Sequence, residues 1–249
     1  MTSAPFLYVC VRPQLGAAAA EYDSFRTAMR LDEGALARHD LVRDPLPADA
    51  FERYAGFVIG GSPFNVADPE STKTETQRRL EADLARIAEG TAPGEGPAAL
   101  FTCYGIGIAT RTLGGTVSRA FPEDTGPVAI DLTPEAASDP LFGGLANRFT
   151  ALTAHKEGTE TLPPGAVLLA RNDGCPVQAY RVGDRLYATQ FHPEPTAQAF
   201  TERMAVYRDD GYFESSDYDA IAGRVLAASI TEPARLLRAF ATHFAATGR

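Results

Sequence analysis

Residues 98–107, Ala98-Ala99-Leu100-Phe101-Thr102-Cys103-Tyr104-Gly105-Ile106-Gly107, constrain the fold most narrowly. The apolar run closing on Thr102 predicts a buried strand, and Tyr104 to Leu113 predicts a helix ended by Gly114 and Gly115. A strand that turns into a helix through one reactive residue belongs to α/β architecture, in which the sheet edge displays that residue's side chain. Cys103 falls on the junction.

Other segments agree with this architecture. Phe6 to Val11 reads as a strand and Ala17 to Arg30 as a helix, so the chain opens as a β-then-α unit. Gly56 to Ile59 is a second strand end, stopped by the turn-prone Gly60-Gly61-Ser62-Pro63. From Glu70 to Glu89, Leu80, Leu84 and Ile87 recur at helical spacing, and Gly90 is expected to stop that amphipathic helix. Residues 115–120, 126–133, 149–155, 166–171, 176–182 and 185–191 are short strand-like runs, with a hairpin turn expected at Gly183-Asp184. Beyond Pro195 the pattern is helical again. No repeat or long linker divides the chain, so residues 1–249 are expected to form one α/β domain with a helical C-terminal part, 196–249.

Composition excludes several classes. A 45% hydrophobic and 22% charged share over 249 residues describes a soluble globular chain with a sizeable core. A net charge of −9 argues against a nucleic-acid binder, which needs clustered Lys and Arg. No apolar run reaches the length of a membrane span, and the start, from Met1 through Ser3 and Pro5, has no basic export segment. Three scattered cysteines, Cys10, Cys103 and Cys175, fit a reducing cytoplasm, and no cluster of ligands or phosphate-binding loop implies a metal or cofactor.

Two segments carry chemistry. At a strand-to-helix elbow an anion faces the positive end of the helix dipole, and the backbone N–H of the next residue, here Tyr104, is free to bind an oxyanion. Taken alone, the segment also describes a buried structural cysteine. The second segment is Gln190-Phe191-His192-Pro193-Glu194. Proline holds His192 extended, and two residues apart on extended chain puts His192 and Glu194 on one face, where a carboxylate can orient an imidazole. In isolation this too describes a solvated strand end. The pairing with Cys103 turns it into a nucleophile, base and orienter.

Gly60-Gly61-Ser62-Pro63, Cys103-Tyr104-Gly105 and Gln190-Phe191-His192-Pro193-Glu194, in this order, resemble the class I, triad-type glutamine amidotransferases, and most of all the amidotransferase domain of GMP synthase and its free-standing relatives. Leu162 to Ala166 and Cys175 to Gln178 resemble the run before the catalytic histidine there. The resemblance implies a flavodoxin-like sandwich, a mostly parallel central sheet with a small antiparallel addition. It also implies that Cys103 attacks the carboxamide of L-glutamine, that His192 moves the proton, that Glu194 orients His192, and that the N–H groups of Tyr104 and Gly61 hold the oxyanion. Gly61 has a simpler role available in permitting the turn.

The chain departs from the family pattern at two positions. Thr102 stands where the family has glycine, and Gly107 stands where it has a glutamine that helps bind substrate. The resemblance therefore leaves three readings open. The first is a glutaminase that hands ammonia to a separate synthase, for which the remaining length leaves no room. The second is a hydrolase of other γ-glutamyl amides, and the third a non-catalytic module retaining the fold. His155, two residues before Glu157, stands where the resembled family carries a His followed by an acid. It is a candidate for a substrate-side or interface role beside the simpler reading of a strand-end histidine satisfied by its neighbours, and it is left outside the catalytic set. Cys10 and Cys175 are read as packing residues, and the aromatic and acidic stretch Tyr207 to Tyr218 as a solvated loop between helices, with a docking surface as the alternative.

Overall fold

A computed structural model describes residues 4–247. Met1–Ser3, which belong to the N-terminal stretch expected to lack an export segment, and residues 248–249 lie outside the described residues. The strands are β1 (Phe6–Cys10), β2 (Leu36–Asp40), β3 (Gly56–Ile59), β4 (Ala98–Thr102), β5 (Thr116–Ser118), β6 (Glu123–Leu132), β7 (Arg148–His155), β8 (Gly158–Thr161), β9 (Val167–Arg171), β10 (Ala179–Val182) and β11 (Leu186–Thr189). The helices are α1 (Leu15–Met29), α2 (Ala50–Arg53), α3 (Glu75–Thr91), α4 (Tyr104–Thr112), α5 (Ala197–Val206), α6 (Tyr218–Ala227) and α7 (Glu232–Thr247).

The expected mostly parallel sheet with an antiparallel addition is present. Its order is β2-β1-β3-β4-β11-β10-β9-β6-β7, and the first five strands run parallel. From β11 onward the pairing is antiparallel, because Gly183 (φ +58°) turns β10 back into β11 in the hairpin read from sequence. A separate ladder joins β5 to β8.

Every residue of β1 is buried because both faces of the parallel part are covered. On one face Tyr8 packs with Phe25 of α1 and Phe6 with Phe240 of α7, in a cluster that also holds Leu237 and Phe244. On the other, Val9 and Phe57 meet Leu80, Leu84 and Ile87 of α3 and Ile108 of α4. The helical spacing read from sequence therefore marks core-facing sides of α3 and α7.

Two boundaries differ from expectation. The amphipathic helix begins at Glu75 rather than Glu70, since the Thr74 hydroxyl caps it by accepting the Gln77 N–H at 3.1 Å. Gly90 does not end it; α3 runs on to Thr91, and Gly90 leaves room for the Phe51 ring, which a Cβ would approach within 2.5 Å. Two short strands escaped the sequence pattern. β2 reads Leu-Ala-Arg-His-Asp, and as an edge strand pairing only with β1 it needs no apolar alternation. β8 reads Gly-Thr-Glu-Thr, with no large apolar residue to mark it.

The strands β3, β4 and β11 lie side by side, so their carboxyl ends open at one edge. That edge is where open α/β sheets place ligands.

Candidate functional site

Cys103 links β4 to α4 with φ +51° and ψ −104°, a backbone conformation that L-residues rarely adopt. Neighbouring strands hold the chain in it. The Thr102 hydroxyl donates to the Ile59 carbonyl of β3 at 2.7 Å, and the Cys103 N–H donates to the Thr189 carbonyl of β11 at 2.8 Å. Thr102 thus fills the place where the family pattern has glycine with a tie across the sheet. Glycine at 105 fits a tight place, since a Cβ would lie 3.2 Å from Phe101 Cβ and 3.3 Å from Ile59 Cγ2. The N–H of Tyr104, the first residue of α4, has no partner among the described residues.

His192 lies just past β11, held by donation of its N–H to the Leu152 carbonyl at 2.9 Å. Its Nδ1 sits 3.0 Å from Glu194 Oε1, so the bond is read as Nδ1–H donating to the carboxylate, which leaves Nε2 for a partner on the other side. Both side chains are buried. Burial disfavours the charged ring, but the Glu194 carboxylate and the Cys103 sulfur outweigh it and hold the His192 pKa up at about 9. Burial likewise opposes the charge on Glu194, yet His192 and Arg203 together hold its carboxyl well below the usual range.

The structure therefore brings Cys103, His192, Glu194 and Tyr104 together at the carboxyl edge of the sheet. Gly61 joins them in a different manner from that expected. Its N–H donates to Glu21 Oε1 at 3.2 Å and is turned away from an oxyanion role. The glycine is there for space, since a Cβ at 61 would meet Arg12 Nη2 and His192 Cε1, both at 2.8 Å. Ser62 borders the space around Cys103, and its N–H has no partner among the described residues.

The model of the class I glutamine amidotransferase family matches residues 43–206, about two-thirds of the chain. The chain belongs to this family. Relatives include a glutamine-hydrolysing GMP synthase of Thermomicrobium roseum, 31% identical over 139 residues, or 56% of this chain and 23% of that protein. Another is one subunit of the glutamine-hydrolysing GMP synthase of Thermococcus kodakarensis, 34% identical over 109 residues, or 43% of this chain and 55% of that one. The matched stretch thus spans about a quarter of the length of the first and about half of the second. A glutamine amidotransferase of Thermotoga maritima superposes with a TM-score of 0.76 over 97% of this chain and 98% of that one, at 16% identity. One from Methylobacillus flagellatus does so with a TM-score of 0.69 over 98% and 93%, at 20% identity. These likenesses show the fold.

A buried charge network of Arg203, Glu21 and Arg12 backs the site, and none of these three residues was singled out from sequence. Arg203 of α5 donates to Glu194 Oε1 at 2.6 Å and lies 3.6 Å from Glu21 Oε1. Glu21 also accepts from Arg12 Nε at 2.9 Å and from the Tyr8 hydroxyl at 2.7 Å. A signal for it existed. Glu21 sits on the buried stripe Ala17, Ala18, Phe25 and Ala28 of α1, and Arg203 sits between Phe200 and Met204 on that of α5. A charge on an apolar stripe needs a buried partner.

Two further expectations meet different outcomes. His155 is held by its neighbours, with Nε2 at 2.8 Å from Glu123 Oε2 and Nδ1 at 2.9 Å from the Glu157 carbonyl, and it also borders the cavity beside Cys103. Cys10 and Cys175 are buried and free. The stretch after α5, however, is not a solvated loop throughout. Tyr207 is buried, donates to Gln14 Oε1 and accepts from Arg12 Nη1, each at 3.0 Å, while Tyr212 reaches the space beside Cys103. The aromatic rings take the loop inward.

Gly107 borders the cavity that Tyr104, Asn65, Lys156 and Gln190 line. A Cβ there would be 3.0 Å from Val66 Cγ2, and Glu157 secures that wall by accepting the N–H groups of Val66 at 2.6 Å and Ala67 at 2.9 Å. The space of the family's glutamine side chain is thus partly closed by Val66. Among the described residues, no helix is long and apolar enough to cross a membrane.

Proposed function

We propose that the chain is a glutaminase-type amidotransferase unit that hydrolyses the side-chain amide of glutamine through a thioester on Cys103. The observation that carries this reading is the strained, sheet-tied elbow at Cys103 beside a buried His192–Glu194 pair. Positive charge held on His192 suits it to stand against a thiolate and then to protonate the departing nitrogen. Cys103 sulfur attacks the carboxamide carbon, the oxyanion rests on the N–H groups of Tyr104 and Ser62, and ammonia leaves with the proton from His192. Water then hydrolyses the γ-glutamyl thioester, with His192 as base, to give glutamate and the free thiol. Glu194 keeps the Nδ1–H tautomer, and Arg203 fixes Glu194. No step calls on a metal or organic cofactor.

The names of the relatives support a wider reading in which a separate synthase receives the ammonia. On this reading residues 1–249 act as one glutaminase domain in the cytoplasm, with a protein partner and no nucleic acid or membrane. The test is release of glutamate and ammonia from glutamine by the purified protein. Turnover is expected in the wild type and a fall of at least about 10³-fold in Cys103→Ala. Equal release by the two would overturn the reading.

A further inference from the structure

Two cavities meet at Cys103. The first, with Asn65, Lys156 and Gln190 in its wall, is polar. The second holds about 420 Å³ of space unfilled by protein, part of it open to solvent, and its wall includes Ala154, Phe200, Met204, Tyr207, Tyr212 and Phe213. Arg12 and Arg203 also border the second cavity; each is paired with a buried carboxylate, Glu21 or Glu194, while Nε and Nη2 of Arg203 have no hydrogen-bond partner among the described residues. What this cavity offers a ligand is mainly hydrocarbon and aromatic surface.

Resting on the cysteine mechanism proposed above, the position of His192 tells the two cavities apart. His192 borders the second cavity and not the first, with the Phe200 ring 6.0 Å from its own. The group that gives a proton to the leaving nitrogen must stand on the leaving side of the tetrahedral intermediate. The γ-glutamyl part, with its charged amino acid end, then occupies the polar cavity, and whatever is attached to the departing nitrogen extends into the apolar one. Ammonia carries nothing that such a wall could bind.

We infer that this second cavity is a binding site for the leaving group, and that the enzyme accepts N-substituted γ-glutamyl amides whose amine carries an uncharged hydrocarbon chain. The reaction is balanced without a further reactant. Cys103 sulfur bonds to the γ-carbon, the C–N bond breaks, and the amine leaves with the proton from His192. Water then splits the thioester into glutamate and thiol.

The series γ-glutamyl-methylamide, ethylamide, n-propylamide and n-butylamide tests this, because the basicity of the leaving amine is nearly constant along it. Glutamate release gives kcat/KM for each amide and for glutamine. Each added methylene placed in apolar surroundings is expected to raise kcat/KM by about fourfold. Met204→Ser is expected to flatten that slope, and a slope within one variant is insensitive to how much of the protein is folded. If glutamine is hydrolysed while the series is flat or falls, the inference is overturned and the glutaminase reading stands. A full slope in Met204→Ser would overturn the placement of the chain in this cavity. If glutamine and every amide are inert, both fail.

Discussion

At the scale of residues, charge placement sets the expected chemistry. His192 is held in its charged form to a pKa of about 9 by Glu194 and the Cys103 sulfur acting against burial. A group raised in this way is charged below that value and loses its proton as pH rises through it. Glutamine turnover is therefore expected to fall along an alkaline limb near pH 9. In Glu194→Gln the chief raising influence is gone, so the limb should move to lower pH; a pH profile of kcat/KM that leaves it in place would contradict the electrostatic account. Removing one member of a buried ion pair costs on the order of 3–5 kcal/mol. The position of the limb is read separately from this loss of stability. Cys103, His192, Glu194 and Tyr104 were legible in the sequence because each belongs to a local segment. Arg203, Glu21 and Arg12 were not, because their partners come from distant elements and only folding brings them together. Gly61 shows the limit of local reading: the motif located the loop, but the direction of one N–H depends on Glu21, 40 residues earlier.

At the scale of elements, the elbow joining β4 and α4 is a local conflict kept by its surroundings. A non-glycine residue in such a conformation costs on the order of 1–3 kcal/mol. Glycine adopts it freely, so Cys103→Gly should be more stable than Cys103→Ala by about 1 kcal/mol, though in other settings glycine is the less stable of the two. Urea unfolding of the two variants measures this, and an alanine variant equal to or more stable than the glycine one would speak against strain at position 103. The buried strands and amphipathic helices were legible because periodicity records burial on one or two faces. β2, β8 and the inward course of Tyr207 and Tyr212 were not. An edge strand, a strand without large apolar residues and a loop packed over a site leave no period to read.

At the scale of the whole molecule, the parallel order β2-β1-β3-β4-β11 is what assembles the site. Residues 59–62, 102–104 and 189–194 are far apart in the chain, yet they end on adjacent strands. The antiparallel strands beyond β11 bring Ala154 and His155 to the same edge, and α5 brings Arg203. The sequence order of the three motifs made this fold legible, whereas the two cavities on either side of Cys103 depend on side chains from every part of it. The central claim, that Cys103 is the nucleophile toward a glutamine-like carbonyl, is tested most directly by a glutamine-analogue chloroketone followed by mass spectrometry. The account expects one adduct, on Cys103, slowed by an excess of glutamine and lost in Cys103→Ala, with buried Cys10 and Cys175 unmodified. An unmodified Cys103, or labelling that glutamine does not slow, would contradict it.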